Sequence, residues 1–228
     1  MNLEKEVLNS GSAVKVAERV EIKVKGGKAY AFFKRAFDIF SSAIALIVLF
    51  PFLLIIGILV KVTSKGPVFY VSDRVGKNGK VFKFYKFRTM VKDAEQQLDQ
   101  LLEQNEVEGG VTFKMENDPR LTKFGKFLRK SSIDELPQLL NILKGDMSVV
   151  GPRPCTPREL ELYGDKEKNR LLVPQGLTGE WQVNGRSNTT FDEMIDLDLR
   201  YIEKKRGFWY DIGIIFRTLP AVFRQNGK

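Results

Sequence analysis

Residues Ile39 to Val60 form a run of 22 residues without a charge, and no other feature limits the fold as much. As continuous helix the run is about 33 Å long, enough to cross the hydrocarbon core of a bilayer. Pro51 stands in its middle, where proline removes a backbone hydrogen bond and crowds the preceding turn. Basic residues flank both ends, Lys34 and Arg35 before the run, Lys61 and Lys65 after it. The bias of basic flanks toward the cytoplasm puts both ends on one side of a membrane. A helix that enters, breaks at Pro51 and returns satisfies both observations, each half being about 16 Å long and one leaflet deep. A kinked single-pass anchor is the alternative. A buried soluble helix of this length fits a domain of this size poorly.

The residue inventory narrows the chemistry. The chain has 228 residues, 43% hydrophobic and 29% charged, which excludes a disordered chain and leaves material for one core. It has no histidine and one cysteine, Cys155. An internal disulfide is impossible, and a cytoplasmic location is the easier reading. Zinc sites of His and Cys are excluded, as are Ser-His-Asp and Cys-His catalysis. Catalysis must then use carboxylates, Lys, Ser, Thr, Tyr or Cys155, and any metal should be a hard ion held by oxygen, such as magnesium. A net charge of +9 asks for an anionic partner: nucleic acid, a phosphate-bearing substrate or an acidic membrane face.

Residues 1–32 read as a polar tail or the remnant of a preceding module, with an alternating, strand-like stretch at Val20–Lys25. No signal peptide is recognisable. Residues 61–92 carry nine Lys or Arg against one acid, Asp73. Two short strands, Val68–Val71 and Val81–Tyr85, are expected there around turns at Gly76 and Asn78-Gly79. The basic residues suit a face over anionic lipid or a cradle for substrate phosphate. An acidic helix over 93–108 and a basic amphipathic helix over 121–129 follow. The second fits either a membrane interface or an ordinary surface. A helix over 191–205 and an apolar, aromatic C-terminal stretch from Phe208 complete the chain. That stretch suits interfacial residence or packing on the core.

Ser131-Ser132-Ile133-Asp134-Glu135-Leu136-Pro137 is the most informative segment. Pro137 belongs in the first turn of a helix, so a helix is expected from about Ile133 through Leu143, stopped by Gly145. Asp134 and Glu135 then lie at its N-terminus. On local grounds they read as a cap and a dipole-complementing acid. The functional alternative is a carboxylate nucleophile beside a cation-binding neighbour, where the helix end and Arg129 favour phosphate. Downstream, Gly151-Pro152-Arg153-Pro154 is a rigid loop that projects a phosphate-matching guanidinium. The glycine-rich stretch Pro174–Arg186 is neither a Walker loop nor a dinucleotide fingerprint. Its glycines serve turns or close backbone approach to a ligand.

Taken in order, several blocks resemble the bacterial sugar transferases, the monotopic phosphoglycosyl transferases. These blocks are Lys34-Arg35-Ala36-Phe37-Asp38, Gly66-Pro67-Val68-Phe69, Lys86-Phe87-Arg88-Thr89-Met90, Asp134-Glu135-Leu136-Pro137-Gln138-Leu139, Lys144-Gly145-Asp146-Met147-Ser148, Gly151-Pro152-Arg153-Pro154, Gly176-Leu177-Thr178-Gly179 and Gln182-Val183-Asn184-Gly185-Arg186. The resemblance covers about Phe33 to Phe223. It implies an α+β, mostly helical fold: a re-entrant membrane helix over 33–65 and a catalytic domain over 66–228 with interfacial helices. It also implies the cytoplasmic face of the bacterial inner membrane.

By the same resemblance, Asp134 is the nucleophile and Glu135 the magnesium ligand, which reverses the local preference for a cap. Lys86, Arg88, Arg129, Arg153, Gln182 and Arg186 are implied to bind substrate phosphates, with Asp198 matched to an acid near the sugar or metal. Lys34, Arg35, Asp38 and Pro51 are implied at the membrane and the lipid phosphate. The implied partners are a UDP-sugar, undecaprenyl phosphate and the membrane, with room for a homodimer and no nucleic acid. The implied reaction passes a sugar-1-phosphate through Asp134 to the lipid and releases UMP. The non-enzymatic alternative is a membrane-tethered basic module for nucleic acid or acidic lipid. It explains the charge but not the ordered blocks. Family members often carry Ser-Pro at the helix break, where this chain has Phe50-Pro51. Larger members also have several N-terminal spanning helices, so this chain reads as a minimal or truncated enzyme.

Overall fold

The computed structural model describes residues 22–97, 101, 115, 118–185 and 189–223, with residues 222 and 223 described by their backbone alone. Its first element is α1, Lys28–Thr63, a helix of 36 residues. Among the described residues it is the one helix long and apolar enough to cross a membrane. One stripe of it is buried against the rest of the protein: Lys34, Asp38, Ser42, Ile56 and Val60. Ala45, Leu46, Leu49 and Leu53 continue that stripe at helical spacing. The opposite side exposes Phe40, Ile47, Val48, Phe50, Leu54, Ile55, Ile58 and Val62. An exposed apolar face of this extent marks a surface that meets either lipid or another protein.

The interruption expected at Pro51 is absent, because helical structure runs through it. An interior proline costs about 3 kcal/mol in a helix. Here Leu46 and Leu49 pack onto the domain before it, Leu53 and Ile56 after it, so both halves are held in place. The boundary expected at residue 32 also moves. Ile22 and Val24 pack into the core, and the Lys25 N–H donates to the Ile202 carbonyl at 3.0 Å. Residues 22–27 therefore belong to the domain and show no strand, while residues 1–21 lie outside the described residues.

A basic hairpin follows: β1, Phe69–Val75, pairs antiparallel with β2, Val81–Phe87. Asn78 and Gly79 both have positive φ, 57° and 79°, the backbone a tight hairpin requires. Of the acidic helix expected over 93–108, residues 93–97 form turn instead, and all the rest but residue 101 lies outside the described residues. Next come α2 (Lys123–Lys130), a 3₁₀ turn (Ile133–Gln138) and α3 (Leu139–Lys144). Gly145 ends α3 at φ 95°, as its sequence position suggested. β3 (Met147–Val150) precedes α4 (Pro157–Glu161), α5 (Asp165–Lys168) and β4 (Gln175–Thr178). β3 and β4 pair in parallel. α6 (Glu180–Asn184), α7 (Phe191–Arg200), a π turn (Tyr201–Lys205) and α8 (Phe208–Phe223) close the fold. Val150, Ile195, Ile202 and Ile214 meet in one core cluster; Phe82, Phe84, Ile142 and Met147 form another under α1.

Candidate active site

Asp134 and Glu135 lie on the 3₁₀ turn between α2 and α3. Ser132, just before it, has left-handed backbone geometry at φ 56°. A non-glycine residue there stores strain and tends to mark functional turns. Glu135 does lie in the first turn, as an acid complementing the dipole would, but Asp134 is not the cap. The position before the turn is Ser132, with no side-chain cap bond, and Asp134 is buried.

Three cations from three elements gather on the pair. Lys86, on β2, places Nζ 2.6 Å from Glu135 Oε1 and 3.9 Å from Asp134 Oδ2. Arg153 reaches the same Oε1 with both terminal nitrogens, each at 3.2 Å. Arg129, at the end of α2, donates from Nε to Thr89 Oγ1 at 3.1 Å. α2 can sit this close to Thr89 because residue 125 is glycine: a Cβ there would lie 1.9 Å from the Thr89 carbonyl oxygen.

The two carboxyls are driven apart electrically. Burial pushes Asp134 up to about 6, against the charge of Lys86, with the neighbouring Glu135 adding to the rise. Burial acts the same way on Glu135, but Lys86 and Arg153 outweigh it and hold that carboxyl well below the usual range. One acid is thus fixed as an anion, and the other ionises just below neutrality. This division suits two adjacent carboxylates with different tasks. Together they offer hard oxygen donors. Among the described residues no group of three or more His, Cys, Asp or Glu could enclose a metal. The pair alone could supply only part of the oxygen shell of a hard cation, with the rest coming from other ligands.

The loop carrying Arg153 is clamped by its carbonyls. Those of Pro152, Arg153, Pro154 and Cys155 accept from Gly176 N–H (2.8 Å), Arg170 (3.1 Å), Arg74 (3.4 Å) and Val75 N–H (2.9 Å). Gly151 and Gly176 allow this contact. A Cβ on Gly176 would sit 2.1 Å from the Gly151 nitrogen, and one on Gly151 would sit 2.3 Å from the Pro174 carbonyl oxygen. These glycines serve approach of backbone to backbone, not to a ligand.

Other expected site residues are engaged elsewhere. Arg88 donates to carbonyls of Val60, Ser64 and Pro67, closing the C-terminal end of α1. Asp198 is buried in an ion pair with Arg170 at 2.7 Å, not presented to a sugar or metal. Gln182 is buried on α6 beside Gly179. Arg186 lies outside the described residues. Lys34 pairs with Asp211 at 2.7 Å, Arg35 donates to the Ile142 and Leu143 carbonyls, and Asp38 accepts from Val149 N–H. This block fastens α1 to the domain. Sequence reasoning missed Arg170, Arg74 and Thr89. A signal existed for the first: Arg170 is the charge directly adjoining the apolar Leu171-Leu172-Val173. Glu180 was missed as well; it is buried and binds Lys205 and Tyr210, tying α6 to the start of α8.

The site is thus a buried acid pair under converging cations, on a domain that carries a helix long and apolar enough to cross a membrane. Residues 29–225 match the family described as bacterial sugar transferase, and the chain belongs to that family. It is 52% identical over 163 residues to the galactosyl transferase CpsE of Streptococcus agalactiae, covering 71% of this chain and 36% of that protein. It is 46% identical over 200 residues to the undecaprenyl-phosphate galactose phosphotransferase of Salmonella typhimurium, covering 86% of this chain and 41% of that protein. It is 43% identical over 198 residues to the exopolysaccharide production protein ExoY of Rhizobium meliloti, covering 86% of this chain and 87% of that protein. The chain thus spans about two fifths of the first two relatives. Membership of this family accounts for the ordered motif blocks, which a non-enzymatic basic module leaves unexplained.

Proposed function

We propose that this chain transfers a hexose-1-phosphate from a UDP-sugar to undecaprenyl phosphate through an aspartyl phospho-sugar intermediate. The observation that carries the reading is Asp134, a buried carboxylate on a strained turn among Lys86, Arg129 and Arg153. In the first half-reaction an Asp134 oxygen attacks the β-phosphorus. The bond from that phosphorus to the bridging oxygen breaks, and UMP leaves with the oxygen. In the second, a phosphate oxygen of the lipid attacks the same phosphorus. The bond to Asp134 breaks, restoring the carboxylate and giving undecaprenyl diphosphate sugar. Splitting one displacement into two is the gain of covalent catalysis. Lys86 and Arg153 are placed to neutralise charge on the phosphoryl oxygens, and clamping of the Arg153 loop keeps that charge in position. Glu135 spends Oε1 on these cations and would offer Oε2, with the substrate diphosphate, to magnesium. When bound, the ion supplies further charge neutralisation on the leaving group.

The printed names of the streptococcal and Salmonella relatives make galactose the first sugar to test and glucose the second. The contacts of α1 support one membrane arrangement. Near its start Lys34 and Asp38 touch the domain, and near its end Ile56 and Val60 do. A helix about 54 Å long that touches one domain at both ends does not carry that domain on one side while crossing to the other. This supports α1 lying within one leaflet, with the catalytic body on the cytoplasmic face where UDP-sugars are made.

The test is UMP release by the membrane-reconstituted chain from UDP-galactose, UDP-glucose and N-acetylated UDP-sugars, with and without magnesium. Release from one hexose donor without lipid acceptor, with phospho-sugar trapped on Asp134, is expected. Release only when the lipid is present, or an adduct on another residue, would overturn the two-step route.

A further inference from the structure

Arg170 is buried and uses its whole fork. Nε and one terminal nitrogen bind Asp198 Oδ2 at 2.9 and 2.7 Å, and the other terminal nitrogen donates to the Tyr163 hydroxyl at 2.7 Å. The nitrogen shared with Asp198 also donates to the carbonyl of Arg153 at 3.1 Å. We propose that Arg170, held by Asp198 and Tyr163, is the positioning residue that fixes the backbone from which Arg153 reaches Glu135.

Three observations carry this. A buried ion pair is seldom a net source of stability compared with apolar side chains of similar volume, so its presence asks for another use. Of the neighbouring loop's carbonyls, the fork takes that of Arg153 itself, the residue whose guanidinium stands 3.2 Å from Glu135. And two of the four residues in Gly151-Pro152-Arg153-Pro154 are prolines without an N–H, so the loop depends on its carbonyls for anchorage. The inference gives Asp198 a role two steps from substrate, through Arg170 and Arg153. It rests on the proposed function in taking Arg153 as part of the catalytic machinery.

The experiment replaces the pair by apolar residues, Arg170→Met with Asp198→Leu, in the full chain in membrane. Arg170→Lys is a milder variant that keeps the charge and loses the fork, and it decides the matter if the double variant does not fold. Two readouts are taken. In amide hydrogen exchange, Val75 and Gly176, whose N–H groups bind the loop carbonyls, should exchange faster while core amides such as Ile195 and Ile214 keep wild-type protection. In steady-state kinetics, kcat for UMP release should fall about 10- to 100-fold, the order expected for misplacement of a catalytic group by an ångström. KM should change much less, and adding Arg153→Ala should cost no more than Arg153→Ala alone. Unchanged exchange at Val75 and Gly176, or losses that multiply with Arg153→Ala, would overturn the proposal. If the wild-type chain releases no UMP from any donor, the functional reading has failed, and the exchange arm decides the anchoring by itself.

Discussion

Asp134 is where charge, burial and geometry meet, and it yields the sharpest expectations. Asp134→Asn keeps the shape and removes the nucleophile, so UMP release should fall about a thousandfold or more, ~4 kcal/mol of barrier. The folded fraction, read by circular dichroism, should not change. The pH profile follows from the same residue. Burial raises the Asp134 carboxyl to about 6, and the nucleophile is the ionised form. Activity is therefore present above that value and lost as pH falls through it, about tenfold per unit below. Lys86 is the largest influence lowering the Asp134 carboxyl, so Lys86→Met should move this acid limb to higher pH. A limb that stays in place in Lys86→Met would mean that another group titrates.

At the scale of elements, the contact between Gly151 and the segment from Pro174 to Gly179 brings the Arg153 loop against β4. Gly176→Ala puts a methyl group into backbone on two sides, 2.1 Å from the Gly151 nitrogen and 2.4 Å from the Thr178 carbonyl oxygen. Neither atom belongs to a flexible side chain, so a loss of at least 1–3 kcal/mol is expected, roughly the cost of overpacking. A chemical denaturation curve checks it. The hairpin, α2, α3 with its glycine stop, and the long apolar helix were all legible, because periodicity and turn residues act locally. The acid pair was locally read as starting with a cap, whereas Ser132 holds that position and Asp134 is buried in the first turn. What stayed hidden depends on partners distant in sequence. Arg88 looked like a phosphate ligand until α1 brought the carbonyls of Val60 and Ser64 to it. Asp198 looked available until Arg170, 28 positions away, was seen beside it. A cation's sequence position says that it needs an anion or carbonyls, but not which.

For the whole molecule the open choice is between a helix that stays in one leaflet and one that crosses. The Lys34–Asp211 pair is buried, and Asp211 also accepts from the hydroxyls of Tyr30 and Tyr201. Pulling the start of α1 to the far side of a bilayer would break these bonds and leave Asp211 without its cation, a loss of several kcal/mol for a buried pair. At the other end, Arg88 holds the last carbonyls of α1 to the strand that leads to Lys86. Both ends should therefore face the same side. Lys28, the first residue of α1, and Lys65, just beyond its end, are exposed, so each can be changed singly to cysteine in a Cys155→Ser background. With an impermeant thiol reagent on intact cells, neither Lys28→Cys nor Lys65→Cys should label, and both should label once the cells are opened. Labelling of Lys28→Cys from outside while Lys65→Cys stays protected would make α1 a spanning helix, and the bond from Lys34 to Asp211 could not then exist in the cell.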